Sequence, residues 1–285
     1  MNTEARPSTR GQVPAMVRRN PLFSPRRIGA MILRYVYLIR GSWPRIIELA
    51  YWPTMQMILW GFITQFLIGH SNFIAQAFGI LLSGVLLWDV LFRGQLGVSM
   101  SFLEEMWSRN LGHLFVSPLR PYEMLVSLMV VSLIRTLIGL IPASLLAMMF
   151  FGFSLYSLGI PLIGFFLNLI IMGWSIGFMA SGLILRAGLG AESMAWAAIF
   201  AIAPICGIYY PITVLPAWLQ TVAFFLPASH VFEGMRTILV DGAFRSDLML
   251  NAALLNIGYL GMGMAVFLAF FRSARINGVI LQVGE

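Results

Sequence analysis

One helical crossing of a bilayer core takes about 20 consecutive apolar residues, and six stretches of this chain meet that requirement. They are residues 49–68, 73–92, 124–151, 160–185, the first part of 193–230, and 248–271. Asp89 and Arg135 are the charged side chains within them. Hydrophobic residues make up 59% of the chain and charged residues 10%, where a soluble domain carries roughly a quarter charged, so a water-soluble globule is a poor reading. Inside lipid the backbone N–H and C=O groups find no water, and single segments of this length satisfy them as helices. The expected fold is all-α, a polytopic membrane protein with six transmembrane helices.

The intervening segments set the rest of the organisation. Residues 1–25 are polar and Arg-bearing, with Pro7 and Pro14; they lack the apolar core of a cleavable signal peptide and read as a disordered cytoplasmic arm. Residues 26–45 mix Arg27, Arg34 and Arg40 with Ile28, Met31, Ile32, Tyr35, Val36 and Leu38, the pattern of an N-terminal amphipathic helix lying in the membrane interface. A simple extension of the first span is the other reading. The transmembrane domain covers 46–275, and 276–285 form a cytoplasmic tail. The first span has Pro53 near its entry and a very short exit loop at 70–72. The second is expected to end near residue 92, with 93–110 already outside the membrane, and a tight turn over 152–159 joins the third and fourth.

Residues 193–230 carry no Asp, Glu or Arg over 38 positions, too long for one span and too short for two with an ordinary loop. Pro204, Pro211, Pro216 and Pro227 interrupt it, and proline breaks helices. The expectation is one full span to about Tyr209, then short helices forming a re-entrant hairpin over 211–246, tolerated where protein covers the irregular backbone.

All 18 basic residues are arginine. A chain without lysine has no Walker A loop, whose lysine reaches the nucleotide phosphates, and no Schiff-base or lysine-nucleophile chemistry. Half of the arginines fall within the first 45 positions beside an apolar segment, which fits the cytoplasmic flank of a membrane protein better than a nucleic-acid surface. Placing the amino terminus inside leaves fifteen arginines at cytoplasmic positions, Arg236 and Arg245 outside, and Arg135 within a span. The opposite orientation violates the positive-inside rule, so both termini are expected in the cytoplasm. Cys206 is the single cysteine, and His70, His113 and His230 stand apart, so no disulfide framework, metal site or catalytic cluster is expected.

Charges inside the membrane are costly and worth a hypothesis each. Asp89 and Arg93 sit one helical turn apart, which suits a mutual ion pair, with a gate or substrate contact as the sharper reading. Arg135, about eleven residues into its apolar stretch, has three readings: a pairing with Asp89 across the helix pair, an anionic headgroup, or a wet cavity. The structural pairing is preferred. Trp43, Trp52, Trp88, Trp107 and Trp218 lie near span ends, where indole rings anchor at the interface; lining a path for an apolar substrate is the other reading for some aromatic and Met residues of the first, second and fifth spans.

Two segments carry a resemblance. Gly207, Tyr209, Tyr210 and Pro211 are followed by Leu215, Pro216, Trp218 and Leu219, then by Pro227, His230, Glu233 and Arg236. This ordered set resembles the signature of type-2 ABC export permeases, whose fifth span ends in a Tyr-Pro step, followed by a Leu-Pro-x-Trp-Leu run and a later proline before a polar helix. Between the second and third spans, Glu104, Glu105, Arg109, Ser117, Pro118, Leu119, Arg120, Pro121 and Glu123 resemble that family's cytoplasmic loop, here 101–123. The family's Gly-Thr-Leu element is replaced around Asn110, Leu111, Gly112 and His113.

The resemblance implies a coupling helix in that loop, docking into a separate ATP-binding cassette ATPase through Glu104, Glu105, Arg109, Ser117, Pro118 and Arg120. It implies an outer gate around Tyr210, Pro211, Leu215, Pro216, Trp218, Pro227, Glu233 and Arg236, the last two also suiting a local pair. Two ATPase copies would hold ATP and magnesium, this chain would bind no cofactor, and a second copy of it or a related permease would complete the unit in the inner membrane. The implied function is export of an amphipathic or lipid-like substrate, a lipid-linked glycan or drug included, with membrane lipids and no nucleic acid as further partners. The alternatives are an ion-coupled secondary transporter or channel, for which only Asp89 and Arg135 are candidates, and a membrane-embedded enzyme, for which no catalytic pattern is present.

Overall fold

The structure is a computed structural model that describes residues 23–68 and 77–276. The arm at 1–22, the loop at 70–72 and the tail beyond Ile276 lie outside these residues. Among the described residues ten α-helices follow in order: α1 Pro25–Arg40, α2 Trp43–Ile68, α3 Ala77–Trp107, α4 Leu111–Val116, α5 Pro121–Phe151, α6 Pro161–Ala187, α7 Glu192–Ile202, α8 Ala217–Phe224, α9 Pro227–Asp241 and α10 Ser246–Ile276. Proline opens α1, α5, α6 and α9, where its missing N–H costs nothing and its fixed φ suits the first turn. Glycine in the left-handed region ends α5 and α9, at Gly152 (φ 62°) and Gly242 (φ 65°), as helix C-termini favour.

Among the described residues four helices are long and apolar enough to cross a membrane: α3 from Gly79, α5, α6 and α10. The chain is therefore a multi-pass membrane protein. At 26 residues α2 is also long, but Tyr51, Trp52, Pro53, Gln56 and Gln65 dilute its apolar run. Outward side chains are apolar through much of the bundle, among them Phe62, Ile163, Leu167, Leu250, Leu254 and Ile257, a surface that lipid tolerates and water does not.

The structure departs from the sequence-based boundaries at three places. The second helix does not stop near residue 92; α3 continues to Trp107. Its later polar residues reside inside the protein, with Gln95, Ser99, Ser101 and Glu105 all buried, so polarity there marks helix contacts rather than a loop. The fifth span, expected to be helical from 193 to about 209, is helical only over Glu192–Ile202, about 16 Å against a bilayer core of about 30 Å. Beyond it 203–210 proceed in turns, with Tyr210 OH donating to the Pro204 carbonyl. This composite segment still follows α3: Gln95 Nε2 donates to the Ala195 carbonyl at 3.1 Å, and the Ile208 carbonyl abuts Gly84. Third, residues 26–45 do not form one helix. A turn at Gly41 and Ser42 separates α1 from α2.

The centre of the bundle is α3, packed mainly against α6 and α5, while α10 lies along α6. Small residues set the approach. A Cβ at Gly173 would fall 2.6 Å from the Leu91 carbonyl oxygen and 2.9 Å from the Gln95 nitrogen, at Gly97 it would meet Ser132, and at Gly263 it would fall 2.6 Å from the Ser175 carbonyl oxygen. Backbones this close are a common membrane packing device, because helices surrounded by lipid gain from close van der Waals contact. An Asn pair adds polar grip between α6 and α10, with Asn256 Nδ2 donating to Asn168 Oδ1 at 2.8 Å and to its carbonyl at 2.9 Å. Because the obstruction at Gly173 is backbone, Gly173→Ala should destabilise the purified protein by about 1–3 kcal/mol, the usual cost of overpacking. Gly258→Ala, with nothing within 4 Å, should leave it unchanged or slightly more stable. Thermal unfolding in detergent checks the pair.

Candidate substrate cavity and coupling loop

The end of α3 carries two adjacent carboxylates that serve different neighbours. Successive helical residues point about 100° apart, so Glu104 turns to α5 and Glu105 to α1. Arg135 Nη2 donates to both Glu104 oxygens, at 3.0 and 3.1 Å. Glu105 takes Arg34 end-on, Nη1 to Oε1 at 2.7 Å and Nη2 to Oε2 at 2.9 Å, and Asn110 Nδ2 at 2.7 Å. The preferred pairing of Arg135 with Asp89 is thus replaced by one with Glu104. Helical side chains lean toward their own N-terminus, so Arg135 reaches toward the α4 end of the bundle, whereas Asp89 lies fifteen residues, about 22 Å, from Glu104 along α3. Asp89 instead receives Arg93 Nε at 2.6 Å one turn away.

A second arginine clamp fixes α1. Arg27 donates through Nε and Nη2 to the two oxygens of Glu123 at 2.8 and 2.7 Å, and the Ser24 and Arg120 amides donate to the same carboxylate. The Glu123 carboxylate holds the Arg27 guanidinium above its already high ordinary value. Arg27 and Arg34 are seven residues apart beside the buried stripe of Ile28, Met31, Tyr35 and Ile39, so one helical face delivers two planar bidentate donors and an apolar seam. Lysine would offer no such fork. Tyr35 OH donates to the Ser101 carbonyl at 3.2 Å; burial, then the neighbouring Glu105, push its hydroxyl pKa up, keeping it a donor.

The expected coupling loop at 101–123 resolves into the last turns of α3, a turn at 108–110, α4, and the Ser117-Pro118 turn before α5. Ser117 Oγ donates to the Leu114 carbonyl at 2.5 Å and accepts from the Leu119 amide at 3.3 Å, while Arg120 Nη1 donates to Tyr122 OH at 2.8 Å. Arg109 adopts φ 54°, the one non-glycine residue in the left-handed region among those described. Trp107, Arg109, His113, Val116 and Pro118 face outward, and Glu104 and Glu105 do not form part of that face.

At the other end, Glu233 and Arg236 pair at 2.8 Å on α9 and do more than pair locally. Glu233 Oε1 accepts from the Ile212 amide at 2.8 Å, and Arg236 Nη2 donates to the carbonyls of Gly207 and Tyr210 at 2.8 and 3.0 Å. The proline-interrupted backbone of 207–212 would otherwise leave these groups unmet, and α9 satisfies them. Pro211 precedes a 3-10 turn over Ile212–Val214, Leu215 and Pro216 precede α8, Trp218 is exposed on α8, and Pro227 begins α9. His230 is buried with Nε2 2.7 Å from the Phe224 carbonyl. Among the described residues no His, Cys, Asp and Glu cluster suits a metal.

A cavity of about 830 Å³ opens between α2, α3, α5 and α7. Leu49, Trp52, Met55 and Leu59 of α2 form one apolar wall, and Phe92, Leu96 and Met100 of α3 with Trp196 and Phe200 of α7 form another. Phe92 contacts both Trp196 and Phe200, with ring centroids 6.0 and 5.8 Å away. Asp89, Arg93, Glu104 and Arg135 line the same space, and Arg45 and Glu48 stand exposed where α2 begins. The sequence singled out the charges but gave no sign that they share one cavity with these aromatic and methionine walls.

The sequence model of ABC-2 type transporters matches residues 34–240. The chain belongs to this family. The match runs from Arg34 in α1 through the loop at 101–123 and the cavity walls into α9, so the Arg34–Glu105 clamp, that loop and the cavity lie within the shared region, while Arg27 precedes it. A search of curated proteins returns no match. As an ABC-2 membrane domain the chain is a transport permease subunit of a type that typically has no ATPase of its own and generally works with an ATP-binding subunit.

The double clamp gives this permease a distinct vulnerability. Glu105→Ala removes the acceptor shared by Arg34 and Asn110; the Arg34 side chain is 37% exposed and can turn to water, so the cost is about 1.5–3 kcal/mol, that of a hydrogen bond to a charged group. Hydrogen exchange over 25–40 should accelerate in Glu105→Ala and stay unchanged in Arg40→Ala, which alters an exposed position.

Proposed function

We propose that this permease exports an amphipathic or lipid-like substrate from the cytoplasm or inner leaflet, powered by ATP hydrolysis on a separate cassette subunit. The observation that carries the reading is the cavity, whose apolar aromatic walls and charged lining offer a place for both parts of such a molecule. Two ATPase copies bind ATP with magnesium, and two permeases, identical or related, form the unit in the inner membrane with their termini in the cytoplasm. Six crossings would be α2, α3, α5, α6, the composite of α7 with 203–210, and α10. The arginine distribution supports that orientation.

In this arrangement α1 lies in the interface, clamped to the loop ends of α3 and α5. The segments α8 and α9, about 12 and 22 Å long, are each too short to span and return toward the outer surface as a re-entrant hairpin, with Glu233 and Arg236 holding the gate backbone. ATPase docking uses the outward face of α4 and its flanks, Arg109, His113 and Val116, with Pro118 and Arg120 in the turn after it. Glu104 and Glu105 act behind that face by joining the loop to α5 and α1. An ion-coupled transporter would need a buried carboxylate free to bind the ion, whereas Asp89 and Glu104 are both occupied by arginine.

The purified chain alone should hydrolyse no ATP, in keeping with its lack of lysine. Co-expression with a lysine-bearing cassette subunit should give a complex whose hydrolysis falls at least about tenfold in Val116→Asp, a substitution at a 90% exposed residue of α4 that places a desolvated charge in the interface. Robust hydrolysis by the chain alone would contradict the reading.

A further inference from the structure

We infer that the cavity selects amphiphiles with an anionic, acceptor-only headgroup of the phosphate class, held by Arg93 and Arg135. This deepens the proposed function by naming the charge of its substrate and rests on that reading for the step of transport, though not for binding. Hydrogen-bond capacity at the charged end of the cavity is unequal. Glu104 has both oxygens facing Arg135 Nη2, and Asp89 is 4% exposed with Arg93 Nε at 2.6 Å. Arg45 and Glu48, exposed at the mouth, add one charge of each sign, and within the buried end the acceptors are largely satisfied. The donors are not: Arg135 Nε is buried with no hydrogen-bond partner, and Arg93 meets Asp89 through Nε, leaving the terminal nitrogens of its guanidinium for another group.

Guanidinium donors in excess, in a low-dielectric pocket, suit a ligand that accepts hydrogen bonds and carries negative charge. A cationic ligand would meet two arginines whose carboxylates are already occupied. The position of Arg93 is enforced, since Gly139 provides the room for its guanidinium: a Cβ there would lie 2.9 Å from Nε. The aromatic and methionine walls accept the apolar portion, which separates an amphiphile from free phosphate. When the headgroup engages Arg135 it competes with Glu104, so substrate binding loosens the contact that ties α5 to the loop end of α3.

The test is native mass spectrometry of the full chain released from micelles containing equimolar dioleoyl phosphatidic acid, dioleoyl phosphatidylcholine and the cationic dioleoyl trimethylammonium-propane, with inorganic phosphate as a competitor in a separate arm. Phosphatidic acid should be retained preferentially, and inorganic phosphate should fail to displace it. Retention should fall about tenfold in Arg93→Gln and in the charge-neutral double variant Arg135→Gln/Glu104→Gln. Glu104→Gln alone should raise retention by freeing Arg135, a gain that misfolding does not produce. Retention of the cationic lipid in preference, full displacement by inorganic phosphate, or indifference to all three variants would overturn the inference. Binding is read without the ATPase, so selective retention without ATP-driven transport would count against the export reading alone. Transport indifferent to headgroup charge would count against this inference alone.

Discussion

A charge placed in apolar surroundings needs a partner, and each carboxylate buried among the described residues of this protein lies against an arginine: Asp89 with Arg93, Glu105 with Arg34, Glu123 with Arg27. The half-buried Glu104 and Glu233 follow the same rule. An unpaired ion in such places is strongly unfavourable, and the pairs made by Glu104, Glu105 and Glu123 join different helices. Arginine alone supplies the cations, and its planar fork gives each contact a direction that lysine would lack. The clamps at Arg27 and Arg34 turn an amphipathic helix into a strap over the loop ends of α3 and α5.

The same rule links the cavity with the loop. Glu104 lines the cavity through Arg135, and its neighbour Glu105 holds α1 and the turn at Asn110. A rigid movement of α4 therefore reaches the end of α3 at once, and α3 forms a cavity wall. The tight glycine contacts of α3 with α5 and α6 favour movement of packed elements as units over local yielding. At the far end Arg236 and Glu233 satisfy the broken backbone of 207–212, which allows the chain to reverse without a helix.

Much of this was legible in the sequence. Length and apolarity gave the helical membrane fold, and the turn beginning at Gly152 and the break at Pro227 fall at helix ends. The Asp89 and Arg93 spacing pointed to their pair. Missed features depend on tertiary contacts. Gln95, Ser99, Glu104 and Glu105 looked like solvated loop because polarity in a sequence does not reveal whether water or another helix answers it. The partner of Arg135 depended on the direction in which a helical side chain leans, and the short α7 depended on turns after Ile202 that the apolar run concealed.

The central claim is that loop and cavity move together through the end of α3. Pulsed electron resonance between spin labels at Trp52→Cys and Trp196→Cys, on the α2 and α7 walls of the cavity, measures it directly, with buried Cys206 replaced by alanine. In the assembled complex, ATP binding should shift this distance distribution, and the shift should vanish in Arg135→Gln/Glu104→Gln while ATP still binds. An identical shift in that double variant, or no shift in the parent complex, would contradict the account.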